Sequence, residues 1–370
     1  MSKMLKESQK TKNVLYSPNI KKELLKDSNN NPSISTIEGS KKIKNEIRET
    51  EEEFPNLQKI IKEYYPKIEE SYEMINYFEK GGESFVTRVR HKKGKIELIL
   101  KYIRNKKKNK SELEIASKLK NKNIISFISY NFSEKDMSEI FLMENARFGN
   151  LKYFMKYSLK RYVLSESMMC YFTNEIIKGL LYCHINKVAH MDIKPQNVVL
   201  DEFMNAKLID FSISINYKNK NPKDKIKLPF KGTKPYIPLE IINTELIEYQ
   251  DINKIDSYEL GVTIYYLVFG SFPYDIKYGD NYDQIKEKIK NNKLEIKNAN
   301  NFSKFFEDFI EKLLEKDIKK RMSIFEAVNH YWLKGGKILY DEKERIYNIY
   351  SFATQLMTDG IKEFNDYLNK

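Results

Sequence analysis

The strongest constraint on the fold is an order of patterns along the chain. Residues 75–145 read mostly as short strands, and residues beyond 150 read mostly as helices. The runs FVTRV (85–89) and IELILKYI (96–103) are rich in β-branched residues and are separated by RHKKGK, a turn-like stretch. SELEIASKLK (111–120) follows with a helical period. It places Leu113, Ala116 and Leu119 on one face, with Ser111 as its cap. Two further strands are expected near IISFISYNF and EIFLMENA. Then come the helical segments SESMMCYFTNEIIKGLLYCHI, ELGVTIYYLVFG, YDQIKEKIK, FFEDFIEKLL and MSIFEAVNHYWL. Strands first and helices after them predict an α+β fold in two lobes. The first is small and β-rich with one helix (72–144), and the second is larger and mainly helical (145–333). Three flanking segments complete the division. Residues 1–50 are polar and lack periodic apolar positions, so they are expected to be disordered. A helical lead-in (51–71) carries Leu57, Ile60, Ile61 and Tyr64 on one face and is interrupted at Pro66. The tail, 334–370, reads as one more amphipathic helix after Gly335-Gly336.

Composition narrows the class of function. Hydrophobic residues make up 41% of the 370, enough for a sizeable core. A net charge of +13 favours anionic partners, although lysine is abundant throughout and much of the charge is compositional. The basic stretches 1–50 and RNKKKNK (104–110) lack interleaved aromatic residues for base stacking, so nucleic acid is not an expected partner. Two cysteines, Cys170 and Cys183, make neither a disulfide framework nor a zinc site. The start MSKMLKESQK has no apolar signal core, and Ser2 stands where N-myristoylation needs glycine. The longest apolar run, LGVTIYYLVFG (260–270), is shorter than the roughly 20 residues of a membrane span. A cytoplasmic location is expected, with a nuclear one also compatible. No pattern in the chain sets an oligomeric state.

The chemistry is concentrated in HMDIKPQNVVL (190–200), where Asp192, Lys194 and Asn197 precede an apolar run. KLIDFS (207–212) follows with Asp210-Phe211-Ser212, and upstream Lys101 ends the strand LILK. These residues resemble the signature of the protein-kinase family: a strand lysine, H-R-D-x-x-x-x-N, then D-F-G. GTKPYIPLE (232–240) looks like the end of an activation segment. DSYELG (256–261) looks like the start of the central helix, and KKRMSIFEAVNHYWL (319–333) like the closing element. The resemblance covers roughly 72–333 and implies a serine/threonine protein kinase using ATP and Mg2+. It implies that Asp192 accepts the proton of a substrate hydroxyl and that Lys194 stands beside the transferring phosphoryl. Asn197 and Asp210 would hold magnesium, a hard cation that prefers oxygen ligands. Lys101 would bind the α- and β-phosphates, with Glu112 as its partner by spacing to Asn123-Ile124 and Glu114 as the alternative. Gly82, Val89, Met143 as gatekeeper, Glu144 to Ala146 as hinge, and Val199 would surround the nucleotide. Structural roles fall to His190 with Phe211 as an internal spine and to Glu240 with Arg321 as a buried ion pair. Asp256 would anchor the catalytic loop, and His330 and Trp332 would sit in the core.

Several departures qualify the resemblance. In the register Gly82-Glu83-Ser84-Phe85-Val86-Thr87-Arg88-Val89 only the first glycine of the phosphate loop remains, and a register from Gly81 loses the valine. Ile99 stands where the family usually has alanine, and Ser212 replaces the glycine after Asp210-Phe211. A folded binding module that has lost turnover is the alternative these changes raise. Met191 replaces the arginine that, in the family, pairs with a phosphorylated activation loop. Between Ser214 and Thr233 there is no serine or threonine, and Tyr217 is the one hydroxyl there. The expectation is activity without activation-loop phosphorylation. Gln196 and Asn150 replace acidic residues of arginine-directed members, and Lys218, Lys220, Lys223, Lys225 and Lys227 line the loop. Protein substrates neutral or acidic around the acceptor are therefore expected.

Overall fold

The computed structural model describes residues 57–80, 84–94, 96–104, 110–152, 154, 166–296 and 302–338. The polar segment 1–50, most of the expected tail helix and Gly82 lie outside them. The described residues divide into two compact units, 57–104 with 127–145 and 110–126 with 146–338.

In the first unit, helix α1 (57–64) ends at Tyr65, and α2 (Pro66–Ser71) begins on Pro66. A proline at the first helical position gives up only an N–H that has no partner in the helix anyway. A five-stranded antiparallel sheet follows, in the order β1 (Tyr72–Lys80), β2 (Ser84–His91), β3 (Glu97–Arg104), β5 (Ser138–Glu144) and β4 (Phe127–Ser133). Side chains alternate between the faces of a strand, so pairing register decides which residues share a face. Val89 pairs with Leu98, and Tyr102 with Ile140. One face therefore carries Val89, Leu98, Leu100, Tyr102, Ile140 and Leu142, and these pack with Leu57, Ile61, Tyr65 and Ile68 from the two helices. The lead-in helices are thus part of this unit's core. Full burial of each such aliphatic side chain is worth about 1.5–3 kcal/mol. The Tyr65 hydroxyl meets Ser138 Oγ at 2.6 Å and closes the polar end of that contact.

The second unit opens with α3 (Lys110–Lys118). It starts one residue before the expected cap, which places Ser111 inside the first turn. The expected boundary at 144/145 also shifts, because residues 119–126 are tied to this unit. Asn123 Nδ2 donates to Glu175 Oε2 at 2.6 Å and to the Ala206 carbonyl at 2.9 Å. Ile125 N donates to the Leu208 carbonyl at 3.0 Å. Helix α4 (Glu166–Ile185) leads into three two-stranded sheets. These pair β6 (Val188–Ala189) with β9 (Ile215–Asn216), β7 (Val198–Leu200) with β8 (Ala206–Leu208), and β10 (Lys225–Lys227) with β11 (Leu246–Glu248). Between the last two strands lies α5 (Leu239–Ile242). Helix α6 (Lys254–Phe269) is buried on every side from Ile255 to Tyr265, as expected of a helix apolar all round. It stops at Gly270 in the left-handed region (φ 65°). Helices α7 (Tyr282–Asn291) and α8 (Lys304–Leu313) follow.

The segment MSIFEAVNHYWL is not one helix. A capping box between Ser323 and Glu326 starts the short α9 (Ile324–Ala327), and α10 (Tyr331–Ile338) starts separately. His330 Nδ1 accepts the Trp332 N–H at 3.2 Å at that second start. The tail helix therefore begins before Gly335-Gly336 and runs through them. No helix among the described residues is long and apolar enough to cross a membrane.

Candidate active site

The site is built outward from α6. Asp256 has no exposed surface, and both its carboxylate oxygens accept backbone donors from the segment 190–191. His190 N reaches Oδ2 at 2.8 Å and Met191 N reaches Oδ1 at 2.7 Å, while His184 Nε2 lies 2.7 Å from Oδ2. Met191 adopts φ 70°, a conformation that costs a side-chain-bearing residue about 1–2 kcal/mol and that the carboxylate's paired bonds hold in place. One turn on, Glu259 Oε2 accepts Ile193 N at 2.7 Å.

This scaffold presents Asp192 in a compact polar cluster. Lys194 Nζ donates to Asp192 Oδ2 at 2.7 Å and to Thr233 Oγ1 at 2.7 Å, and Thr233 Oγ1 donates to Asp192 Oδ1 at 2.8 Å. Asn197 Nδ2 donates to Asp192 Oδ2 at 2.8 Å and to its carbonyl at 2.9 Å. Sequence reasoning missed Thr233. Its one signal is its place directly after Gly232, and its partnership with Asp192, 41 residues away, needs the fold. Ile209 N donates to the Asn197 carbonyl at 3.0 Å, which ties the neighbour of Asp210 to this loop. Asp210 adopts φ 67°, which aspartate tolerates better than most residues.

The oxygen donors here fit magnesium. With its amide nitrogen committed to Asp192, Asn197 offers its oxygen, and Asp210 offers carboxylate oxygens. Among the described residues no group of three or more His, Cys, Asp or Glu side chains could hold a metal. Magnesium needs only one or two protein oxygens when it shares substrate phosphates, so Asn197 and Asp210 suit it. Behind them the rings of His190 and Phe211 lie with centroids 4.9 Å apart and planes tilted by 57°, and His190 Nε2 lies 3.0 Å from the Ile209 carbonyl. Val199 is buried and bridges to Asn150; the Ala146 carbonyl accepts Gly149 N at 3.1 Å. Glu112 on α3 is buried at 5% exposure, whereas Glu114 is exposed.

In the first unit the sheet register corrects one expectation. Lys101 pairs with Val86 on one side and Phe141 on the other, and Ile99 pairs with Arg88 and Met143. These six residues share a face. Val89 does not belong to it: it is fully buried on the opposite face, among Leu98, Leu100 and the lead-in helices. Motif spacing points to Val89, but the two-residue period of the paired strand places Val86 on the lysine's face instead. Met143 and Glu144 end β5, half-buried.

The segment after Phe211 is held by apolar packing. Met191 is 3% exposed and Tyr217 7% exposed, both in one cluster with Ala189, Leu228, Ile237, Ile241, Ile247, Ile252 and Ile255. Burial, with Asp256 and Cys183 nearby, pushes the Tyr217 phenol well above its ordinary value. The β10–β11 pair is extended by Tyr249 N to the Asp224 carbonyl and Gln250 N to the Pro222 carbonyl, each 3.0 Å. Lys218, Lys220, Lys223, Lys225 and Lys227 are all exposed. Glu240 and Arg321 are paired at 2% and 1% exposure.

Similarity to known proteins agrees with this geometry. Residues 72–333 match the protein kinase domain. The chain is 30% identical over 248 residues to NUAK family SNF1-like kinase 1 of Mus musculus, covering 67% of this chain and 34% of that protein. It is 29% identical over 226 residues to Aurora kinase B of Drosophila melanogaster, covering 61% and 63% respectively. It is 29% identical over 259 residues to the probable serine/threonine-protein kinase MARK-A of Dictyostelium discoideum, covering 70% and 22%. The chain thus spans less than two thirds of the length of each of these relatives.

Proposed function

The chain belongs to the protein kinase family, and on that premise we propose that it transfers the γ-phosphoryl group of ATP to serine or threonine hydroxyls of proteins. The observation that carries the reading is the cluster of Asp192, Lys194, Thr233 and Asn197. Asp192 takes the hydroxyl proton as the new O–P bond forms and the bond to the β-phosphate oxygen breaks, leaving ADP. Lys194 neutralises charge on the moving phosphoryl, and Thr233 holds both side chains in place. Asn197 and Asp210 would hold magnesium, which would neutralise charge on the phosphates. In the first unit, Lys101 would contribute a phosphate contact from the face of β3 that it shares with Val86, Ile99 and Met143. Phosphoryl transfer asks for little beyond such positioning and charge.

The activation segment needs no phosphate in this reading. Met191 and Tyr217 anchor it through the apolar cluster, where the family's arginine would use a phosphate charge. Tyr217, the one hydroxyl between Ser214 and Thr233, is buried. The Tyr217→Phe protein should therefore release ADP from ATP and magnesium, with casein as acceptor, at the wild-type rate. A requirement for phosphate on Tyr217 would overturn the reading. Met191→Arg, which restores the family residue, should do harm by placing a guanidinium among apolar side chains. Loss of at least about 2 kcal/mol is expected, read as a Tm lower by about 5 °C or more. An arginine variant as stable as wild type would show that the cluster is not the anchor. The exposed lysines of the loop favour substrates that are neutral or acidic around the acceptor. A peptide array that selects arginine before the acceptor would sink that preference.

A further inference from the structure

The catalytic segment 190–193 takes an unusual share of its hydrogen bonds from side chains. A buried N–H must find an acceptor, and here four successive amides find one outside the backbone. His190 N and Met191 N go to Asp256, Asp192 N goes to His190 Nδ1 at 3.3 Å, and Ile193 N goes to Glu259. Asp256, Glu259 and Thr263 recur at i, i+3 and i+7, which puts them on one face of α6. Thr263 Oγ1 donates to the Ile193 carbonyl at 3.1 Å. The peptide groups of Ile193 are therefore gripped on both their N–H and C=O sides. Ile193 is the residue between Asp192 and Lys194, and it is itself fully buried.

We propose that Glu259 is a positioning residue for phosphoryl transfer, fixing the peptide of Ile193 so that Asp192 and Lys194 keep their separation. The proposal rests on the kinase reading above. Chemistry at Glu259 agrees with it. The side chain is 1% exposed, and burial, then the neighbouring Asp256 and Asp192, raise its carboxyl well above the ordinary carboxylate range. Glutamine has nearly the shape of glutamate and keeps an oxygen for Ile193 N. Methionine fills a similar volume without an effective acceptor.

The test compares Glu259→Gln and Glu259→Met with wild type by kcat, by KM for ATP and by hydrogen exchange of the Ile193 amide. Glu259→Gln should keep kcat and exchange within about twofold of wild type. Glu259→Met should lower kcat about tenfold with KM for ATP unchanged, and speed Ile193 exchange about tenfold, the worth of one buried hydrogen bond. Wild-type kcat and exchange in Glu259→Met, or a glutamine variant as impaired as the methionine one, would overturn the proposal for Glu259 alone. A wild type that releases no ADP would overturn the kinase reading and the role in transfer with it, whatever the exchange pattern.

Discussion

Asp192→Asn should lower the rate of ADP release by about 10²–10⁴-fold, the range by which a positioned base accelerates proton transfer. The fold should tolerate the change. Asp192 Oδ2 accepts from Lys194 and Asn197, and Oδ1 accepts from the Thr233 hydroxyl. An asparagine can keep its oxygen toward Lys194 and Asn197 and turn its NH2 toward Thr233 Oγ1, which can accept as well as donate. Each heavy atom thus retains a partner while the proton acceptor is lost. A loss of rate with Tm within about 2 °C of wild type would fit this account. Equal rates in the two proteins would remove Asp192 from the chemistry. Silence in both, with no rise in Tm on adding ATP and magnesium, would replace the enzyme by a folded binding module.

Arg321→Ala should destabilise the second unit by about 3–5 kcal/mol, the cost of leaving one charge of a buried pair without its partner. All five guanidinium donors have acceptors. Nε donates to the Glu315 carbonyl at 2.8 Å; Nη1 donates to Glu240 Oε1 and to the Lys254 carbonyl at 3.1 Å. Nη2 donates to Glu240 Oε2 and to the Lys316 carbonyl, both at 3.3 Å. The guanidinium also lies over the Tyr258 ring, 4.9 Å from its centroid. Removing it strands the Glu240 carboxylate and three carbonyls at once. Thermal melting should show a fall of about 10 °C. A Glu240→Leu change added to Arg321→Met should return part of the loss, because the stranded charge goes with it. A double variant no better than the sum of its parts would place the stability elsewhere.

Much of the candidate site is legible in the sequence alone. Asp192, Lys194, Asn197 and Asp210 sit at short fixed spacings, because each must reach the same small reaction volume from one loop and the hairpin after it. Met191, Tyr217 and the missing loop hydroxyls are legible for the same reason: residue type at a known position. What the sequence misplaces depends on pairing between distant strands. Val89 satisfies the motif's spacing, yet Val89 pairs with Leu98 and Val86 pairs with Lys101, so the lysine's face holds Val86. Thr233 and Glu259 escape a reading of the sequence because their partners lie 41 and 66 residues away in the chain.

Local chemistry by itself determined the order of strands and helices, the polar residues of the catalytic loop, and the loss of the arginine at Met191. Those are properties of neighbours in the chain, where periodicity and spacing act directly. Tertiary structure alone decided which face of β3 each side chain joins and that the lead-in helices complete the first unit's core. It also decided that α6 adds Glu259 and Thr263 to the anchor expected at Asp256. Each of these is a contact between segments far apart in sequence, selected by strand register and by the need of buried polar groups for partners, and no local pattern encodes either.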